Sequence, residues 1–240
     1  MASQTFDYRD GETTCRGFLA HGDGSQRRPG ILICHEAPGC DDHVKMRAGM
    51  LADLGYVALA ADLYGEGKIA KGGDEAQALM NPLREDTAKL RKRARAGLDA
   101  LAALPNVGSQ RLAAIGYCFG GLTVLELARS GAPVVGVVSF HGILSTKTPG
   151  DARNIKGKVL ACTGADDPLV PPEQVLAFQQ EMTAASVDWQ VITYGGTKHA
   201  FTNRNAGRSN RPNVLAYNEA SDRRSWAAMR AFFDEIFARA

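Results

Sequence analysis

The sequence carries almost no net charge: 28 Lys and Arg stand against 26 Asp and Glu, a formal +2. That balance supplies no broad electrostatic footprint for nucleic acid or an anionic membrane, and a small, roughly neutral substrate fits better. The N-terminus, Met1-Ala2-Ser3-Gln4-Thr5-Phe6-Asp7, lacks a basic segment followed by an apolar stretch, and no apolar run reaches membrane-spanning length. These absences predict a soluble, cytoplasmic protein with no membrane partner. Cysteines are few and odd in number, at Cys15, Cys34, Cys40, Cys118 and Cys162, so reduced thiols are expected rather than disulfide staples. No repeat, low-complexity tract or linker divides the chain, and 240 residues with 45% hydrophobic content suffice for one core. A single domain over 1–240, working as a monomer or homodimer, is the expectation.

Apolar, β-prone runs recur at Gly30–Cys34, Tyr56–Ala60, Arg111–Ile115, Val134–Val138, Val159–Cys162 and Trp189–Tyr194. Continuous runs of this kind suit strands buried on both faces. Helical patterns fall between them, over Val44–Leu54, Asp86–Leu104, Phe119–Arg129, Pro172–Ala184 and Val214–Ala238. Strands alternating with helices predict an α/β fold with a mainly parallel sheet. In the second helix Leu90, Ala94, Leu98 and Leu101 mark the apolar face, which leaves Lys89, Arg91, Lys92, Arg93 and Arg95 as a solvated one. No aromatic residues interleave with those cations, so a nucleic-acid role is not expected. The stretch from Tyr64 to Arg84, with Gly65, Gly67, Gly72, Gly73 and Pro82, breaks both periodicities and reads as a segment covering or bordering a site.

The sharpest chemical signal is Gly116-Tyr117-Cys118-Phe119-Gly120-Gly121, which follows an apolar strand and opens an amphipathic helix. This is the context of a nucleophile elbow: a tight strand-to-helix turn projects the nucleophile, and glycines two positions away leave room for neighbouring backbone. At a helix N-terminus the dipole favours a thiolate on Cys118. The bland alternative, a small core cysteine beside glycines that permit close packing, carries less weight in this context. A base is needed, and His199 lies just beyond the last expected strand. An orienting acid is expected between nucleophile and histidine in chain order, and Asp166 and Asp167 both follow the strand ending at Cys162. Spacing does not choose between them, and either could cap the helix near Pro172. His21, His35, His43 and His141 are alternative bases; His141 follows a strand and is a residue to line the site, but the order of elements makes it a poor triad base.

Over nearly its full length the chain resembles the dienelactone hydrolase family. The matching pieces are His35-Glu36-Ala37-Pro38-Gly39, Asp62-Leu63-Tyr64, the Cys118 elbow, Gly164-Ala165-Asp166-Asp167-Pro168-Leu169-Val170-Pro171 and His199-Ala200-Phe201. The resemblance implies an α/β-hydrolase fold with a Cys118–His199–Asp167 triad, selecting Asp167 over Asp166 by the family's D-x-x-V-P segment. It implies that Glu36 interacts with the thiol and helps activate it. Backbone N–H groups of Ala37 and Phe119 would then form the oxyanion hole. Tyr64, Arg84, His141, Phe201, Asn203 and Arg204 are the substrate-pocket candidates. Members acting on carboxylated substrates use arginines near the pocket; here the position four beyond His199 is Asn203, with Arg204 displaced by one.

The function expected from these pieces is cysteine-dependent hydrolysis of lactones or small carboxylic or aryl esters through a thioacyl-enzyme, with promiscuous attack on activated phosphotriesters as an extension. The competing reading is a non-catalytic binding or thiol redox-sensing protein of the same fold. A metal site from Cys34, His35, Cys40 and His43 is disfavoured, because adjacent strand residues point to opposite faces. No metal or organic cofactor is expected.

Overall fold

The period-2 alternation hidden inside the apolar runs becomes visible in the computed structural model, which describes residues 2–24 and 26–238. Met1, Ser25, Arg239 and Ala240 lie outside the described residues, and with them the outermost positions of the expected 1–240 domain and the first residue of the N-terminal heptapeptide. Along β3 (Arg28–Cys34), Leu32 and Cys34 enter one core layer while Ile31 and Ile33 enter the other. The same division separates Ala114 from Ala113 and Ile115 on β5 (Val107–Tyr117), and Val159 and Ala161 from Leu160 and Cys162 on β7 (Lys158–Gly164). Both faces therefore demand apolar residues, and no polar face survives to reveal the pleat.

These strands belong to an eight-stranded sheet of order β1-β2-β4-β3-β5-β6-β7-β8, in which β4 is Val57–Ala60, β6 Gly136–Phe140 and β8 Trp189–Tyr194. From β3 to β8 all pairings are parallel. The sequence reading missed the other edge, an antiparallel hairpin of β1 (Ala2–Asp10) and β2 (Thr13–His21) turning at Gly11. Most of β1 is exposed, so it lacks the apolar run that flagged its neighbours.

One layer of helices contains α3 (Thr87–Ala102), α4 (Phe119–Arg129) and α5 (Pro172–Ala184); the other contains α1 (Asp42–Asp53) and α6 (Glu219–Ala238). Three expectations need correction. The irregular Tyr64–Arg84 segment contains a helix, α2 (Gly73–Glu85), with Pro82 inside it and only Ala76 and Leu83 buried. The basic face of α3 is not uniformly solvated: Arg93 is buried against Asp10 (2.8 Å), and Arg91 joins Glu126 and Asp151. A buried guanidinium persists only when its charge is matched, and Asp10 comes from β1, the strand the pattern did not show. The last helix also begins at Glu219 rather than Val214, because Leu215 pairs as a parallel bridge with His199.

Since β4 and β5 flank β3, chain direction through the sheet reverses at β3, and the crevice beyond the carboxyl ends of β3 and β5 is where open α/β sheets place ligands.

Candidate active site

Cys118 occupies that crevice. It sits between β5 and α4 with φ 52° and ψ −113°, a left-handed conformation that costs on the order of 1–3 kcal/mol for a residue with a side chain. The surroundings enforce it. A Cβ on Gly120 would stand 2.0 Å from the Cys34 carbonyl oxygen, and one on Gly116 would stand 1.9 Å from that of Gly120. The glycines thus permit β3, β5 and α4 to approach closely, and the turn has no room to relax. The Cys118 N–H donates to the Phe140 carbonyl (3.0 Å) and to Nδ1 of His141 (3.1 Å).

Asp167 and His199 arrive on the loops after β7 and β8. Nδ1 of His199 donates to Oδ2 of Asp167 at 2.7 Å, and Oδ1 of Asp167 accepts from the Leu169 N–H at 2.8 Å. Both side chains are buried, whereas Asp166 points to solvent, which separates the two acids that spacing left equivalent. Burial alone would lower the His199 pKa, but the negative charges of Cys118 and Asp167 drive it up to about 10. Its Nε2 is buried without a protein hydrogen bond of full geometry, leaving that position for the thiol and a reacting group. Among the described residues neither the Ala37 nor the Phe119 N–H is engaged within the protein, so both remain available to an oxyanion.

Glu36 lies beside this centre but does not bond the thiol. Asn203 Nδ2 donates to its Oε2, and burial pushes its pKa up to about 7 against the opposing effects of Asn203 and His199. The hydrogen-bond partner of the Glu36 carboxyl is thus Asn203, a residue on the loop after β8. Tyr64 stacks near Phe119, with ring centroids 6.3 Å apart. His141 is buried behind the elbow, with Nε2 donating to Thr202 Oγ1 at 2.8 Å, and burial holds its pKa well below the usual value. Phe201 is also fully buried, edge-on to His141, so it supports the site rather than lining it. Arg204 is exposed over the Tyr217 ring. Arg84 borders a separate groove of about 300 Å³ with Leu122 and Ile143. A wider groove of about 840 Å³ lies around Arg111, Lys158 and Glu235 and includes none of these residues.

The sequence did not single out Thr202, Arg47 or Asp222. Arg47 joins Asp222 (2.6 Å) and the Thr202 carbonyl (2.8 Å), connecting α1 and α6 to the His141 support. Its position three residues beyond Val44 on the buried arc of α1 was the available signal. Cys162, the other thiol near a catalytic loop, is buried in β7, accepts from Tyr194, and has its pKa pushed up to about 12 by burial. All five cysteines are free. Among the described residues no three His, Cys, Asp or Glu side chains converge as metal ligands, and no helix is long and apolar enough to cross a membrane.

A mainly parallel sheet with helices on both faces, a strained cysteine elbow and a histidine–carboxylate pair on later loops define an α/β-hydrolase, and the likeness to known proteins agrees. A dienelactone hydrolase-like promiscuous phosphotriesterase from metagenomic libraries superposes with a TM-score of 0.94 at 44% identity, covering 98% of each chain. The structure designated m3DLH gives a TM-score of 0.93 at 44% identity, again covering 98% of each chain. Protein usf of Aquifex pyrophilus is 29% identical over 212 residues, 86% of this chain and 88% of that protein. The profile of the dienelactone hydrolase family matches residues 15–237, and the chain belongs to that family.

Proposed function

We propose that this protein is a cysteine-dependent hydrolase of lactones and small carboxylic or aryl esters, in which Cys118 is the nucleophile, His199 the proton carrier and Asp167 its orienting acid. The observation that carries the reading is the buried 2.7 Å Asp167–His199 pair, whose imidazole feels the charge of Cys118 at a strained elbow. The Cys118 sulfur attacks the carbonyl carbon and the oxyanion is met by the N–H groups of Ala37 and Phe119. Imidazolium His199 then protonates the departing alkoxide, leaving a thioacyl-enzyme. Neutral His199 next takes a proton from water, which attacks the acyl carbon; the C–S bond breaks, imidazolium His199 returns that proton to the departing Cys118 thiolate, and the acid and free thiol are released.

The same atoms can serve an activated phosphotriester. Attack of Cys118 on phosphorus expels an aryloxide, and water directed by His199 must then cleave the S–P bond. The 44%-identical promiscuous phosphotriesterase supports this extension. The near-neutral charge favours a small uncharged substrate, and the free cysteines suit a reducing cytoplasmic setting. We further infer that 1–240 acts as one domain, as a monomer or homodimer, without nucleic acid, membrane or cofactor.

Replacement of Cys118 by Ala tests the assignment. The variant should stay folded and lose at least about 100-fold in kcat/KM on aryl esters, roughly 2.7 kcal/mol of transition-state stabilisation. Near-native turnover by folded Cys118→Ala would eliminate the mechanism. On a phosphotriester, product beyond one equivalent per enzyme separates turnover from inactivation by a stable Cys118 adduct.

A further inference from the structure

The oxyanion arm, Glu36-Ala37-Pro38-Gly39, is a turn closed by the Gly39 N–H on the Glu36 carbonyl (3.2 Å). Left alone, such a loop is too mobile to hold one N–H on a developing charge. The segment after β4 braces it. The Tyr64 hydroxyl donates to the Ala37 carbonyl at 2.6 Å, the Ala70 N–H donates to that of Pro38 at 2.8 Å, and Ile69 bridges Gly39. His35, with Nδ1 on the Glu36 carbonyl (2.6 Å) and Nε2 accepting from the Leu63 N–H (3.2 Å), joins the same two segments.

Tyr64 is itself anchored. Asp62, fully buried, accepts from the N–H groups of Tyr64, Gly65, Gly67 and Arg16, which fixes the backbone that carries the ring. The ring lies nearly parallel to Phe119 (16°) and meets His35 edge-on at 4.7 Å. One side chain therefore touches the residues that supply both proposed oxyanion donors, Ala37 through its hydroxyl and Phe119 through its face.

We propose that Tyr64 is a positioning residue for the oxyanion hole, setting the Ala37 peptide against that of Phe119, rather than a substrate contact. The proposal rests on the assignment of Ala37 and Phe119 as oxyanion donors to a Cys118 nucleophile. Its hydroxyl is spent on the Ala37 carbonyl, and burial keeps it protonated by raising its pKa.

Carbonyl attack needs the oxyanion hole, whereas displacement of iodide from iodoacetamide by the same thiol creates no oxyanion. Tyr64→Phe keeps the ring stack and removes the hydroxyl. It should lower the single-turnover acylation rate with an aryl acetate by about 10- to 100-fold, a fraction of the loss of a whole donor. KM should stay within about 2-fold, and Cys118 alkylation by iodoacetamide, with its pH profile, should be unchanged. Acylation within 2-fold of native, a rise in KM at constant kcat, or alkylation falling in step with acylation would each overturn the proposal. Should Tyr64→Phe not fold, Ala70→Pro, which removes the neighbouring bond to Pro38, is read by the same criteria. Ester turnover by Cys118→Ala would instead overturn the underlying assignment, an outcome distinguishable from all of these.

Discussion

The turns after β5, β7 and β8 and the segment from Tyr64 to Glu85, which meets the elbow where the Tyr64 ring stacks near Phe119, are built in opposite ways. Cys118 is held by close backbone contacts, Asp167 and His199 are buried and mutually bonded, and α4 is buried along its whole length. The other segment is fixed at its start by Asp62 and Tyr64, then runs through glycines into α2, of which only Ala76 and Leu83 are buried. The strained elbow persists because its surroundings over-determine it, while α2 has few contacts to impose one position. The proposed nucleophile, base and acid thus all lie on the rigid side.

The largest effect should come from the rigid side. Asp167→Asn removes the acceptor that orients His199 and balances its imidazolium, so kcat should fall by about 100- to 10,000-fold. Asp166→Asn, at an exposed carboxylate, should stay within about 2-fold. Steady-state kinetics at matched folded fractions checks the pair, and the reverse ranking would reassign the acid.

How much of this contrast the sequence disclosed follows from what each element depends on. The β3–β8 strands, α4 and α5 were legible because burial on both faces leaves a local apolar record, and Phe119–Arg129 and Pro172–Ala184 match the helices residue for residue. The elbow was legible because its glycines flank the nucleophile in one short motif, even though the backbone that Gly120 admits is that of Cys34 on β3. The β1–β2 hairpin and α2 were not, since β1 is exposed and α2 contains glycine and proline where propensity predicts a break. Arg93 was misread for a related reason: its partner Asp10 lies on a distant strand, and a helical wheel cannot show it. Phe201 appeared as a pocket residue because a motif fixes sequence position and not the direction in which a ring points. The Glu36–Asn203 pair likewise required two loops to be brought together.

Glu36 tests the boundary between the two sides, with a smaller effect. Its pKa rises from 4.5 to about 7 on burial, so the folded state disfavours the charged form. The resulting penalty to stability is absent below pH 4.5, grows as pH rises between the two values, and is complete above pH 7. Glu36→Gln preserves an acceptor for Asn203 without the charge. It should therefore be more stable than native at pH 8 by up to about 3 kcal/mol, with the advantage shrinking as pH falls. Urea unfolding across that range checks this, and a pH-independent difference would refute the shifted carboxyl. If Glu36 also tunes the thiol, Cys118 alkylation should lose a titration near pH 7 in the same variant.

The smallest effect belongs to α2. Pro82 lies beyond the first turn of Gly73–Glu85, so it supplies no N–H to the Ala78 carbonyl, and the Gly72 N-cap brings no side-chain hydrogen bond. With only Ala76 and Leu83 buried, this helix should open without global unfolding. Pro82→Ala restores the missing donor at an exposed position, and should raise the local opening free energy by about 1 kcal/mol, well below the roughly 3 kcal/mol helix-interior value because the proline also restricts the unfolded chain. Amide exchange over 73–85 should slow by about 5-fold, a change of that size in free energy, while exchange in α4 and kcat on aryl esters stay within about 2-fold. Exchange in native α2 as slow as in α4 would remove the contrast itself, and an equal loss of kcat in Pro82→Ala would mean that the motion of this segment limits turnover.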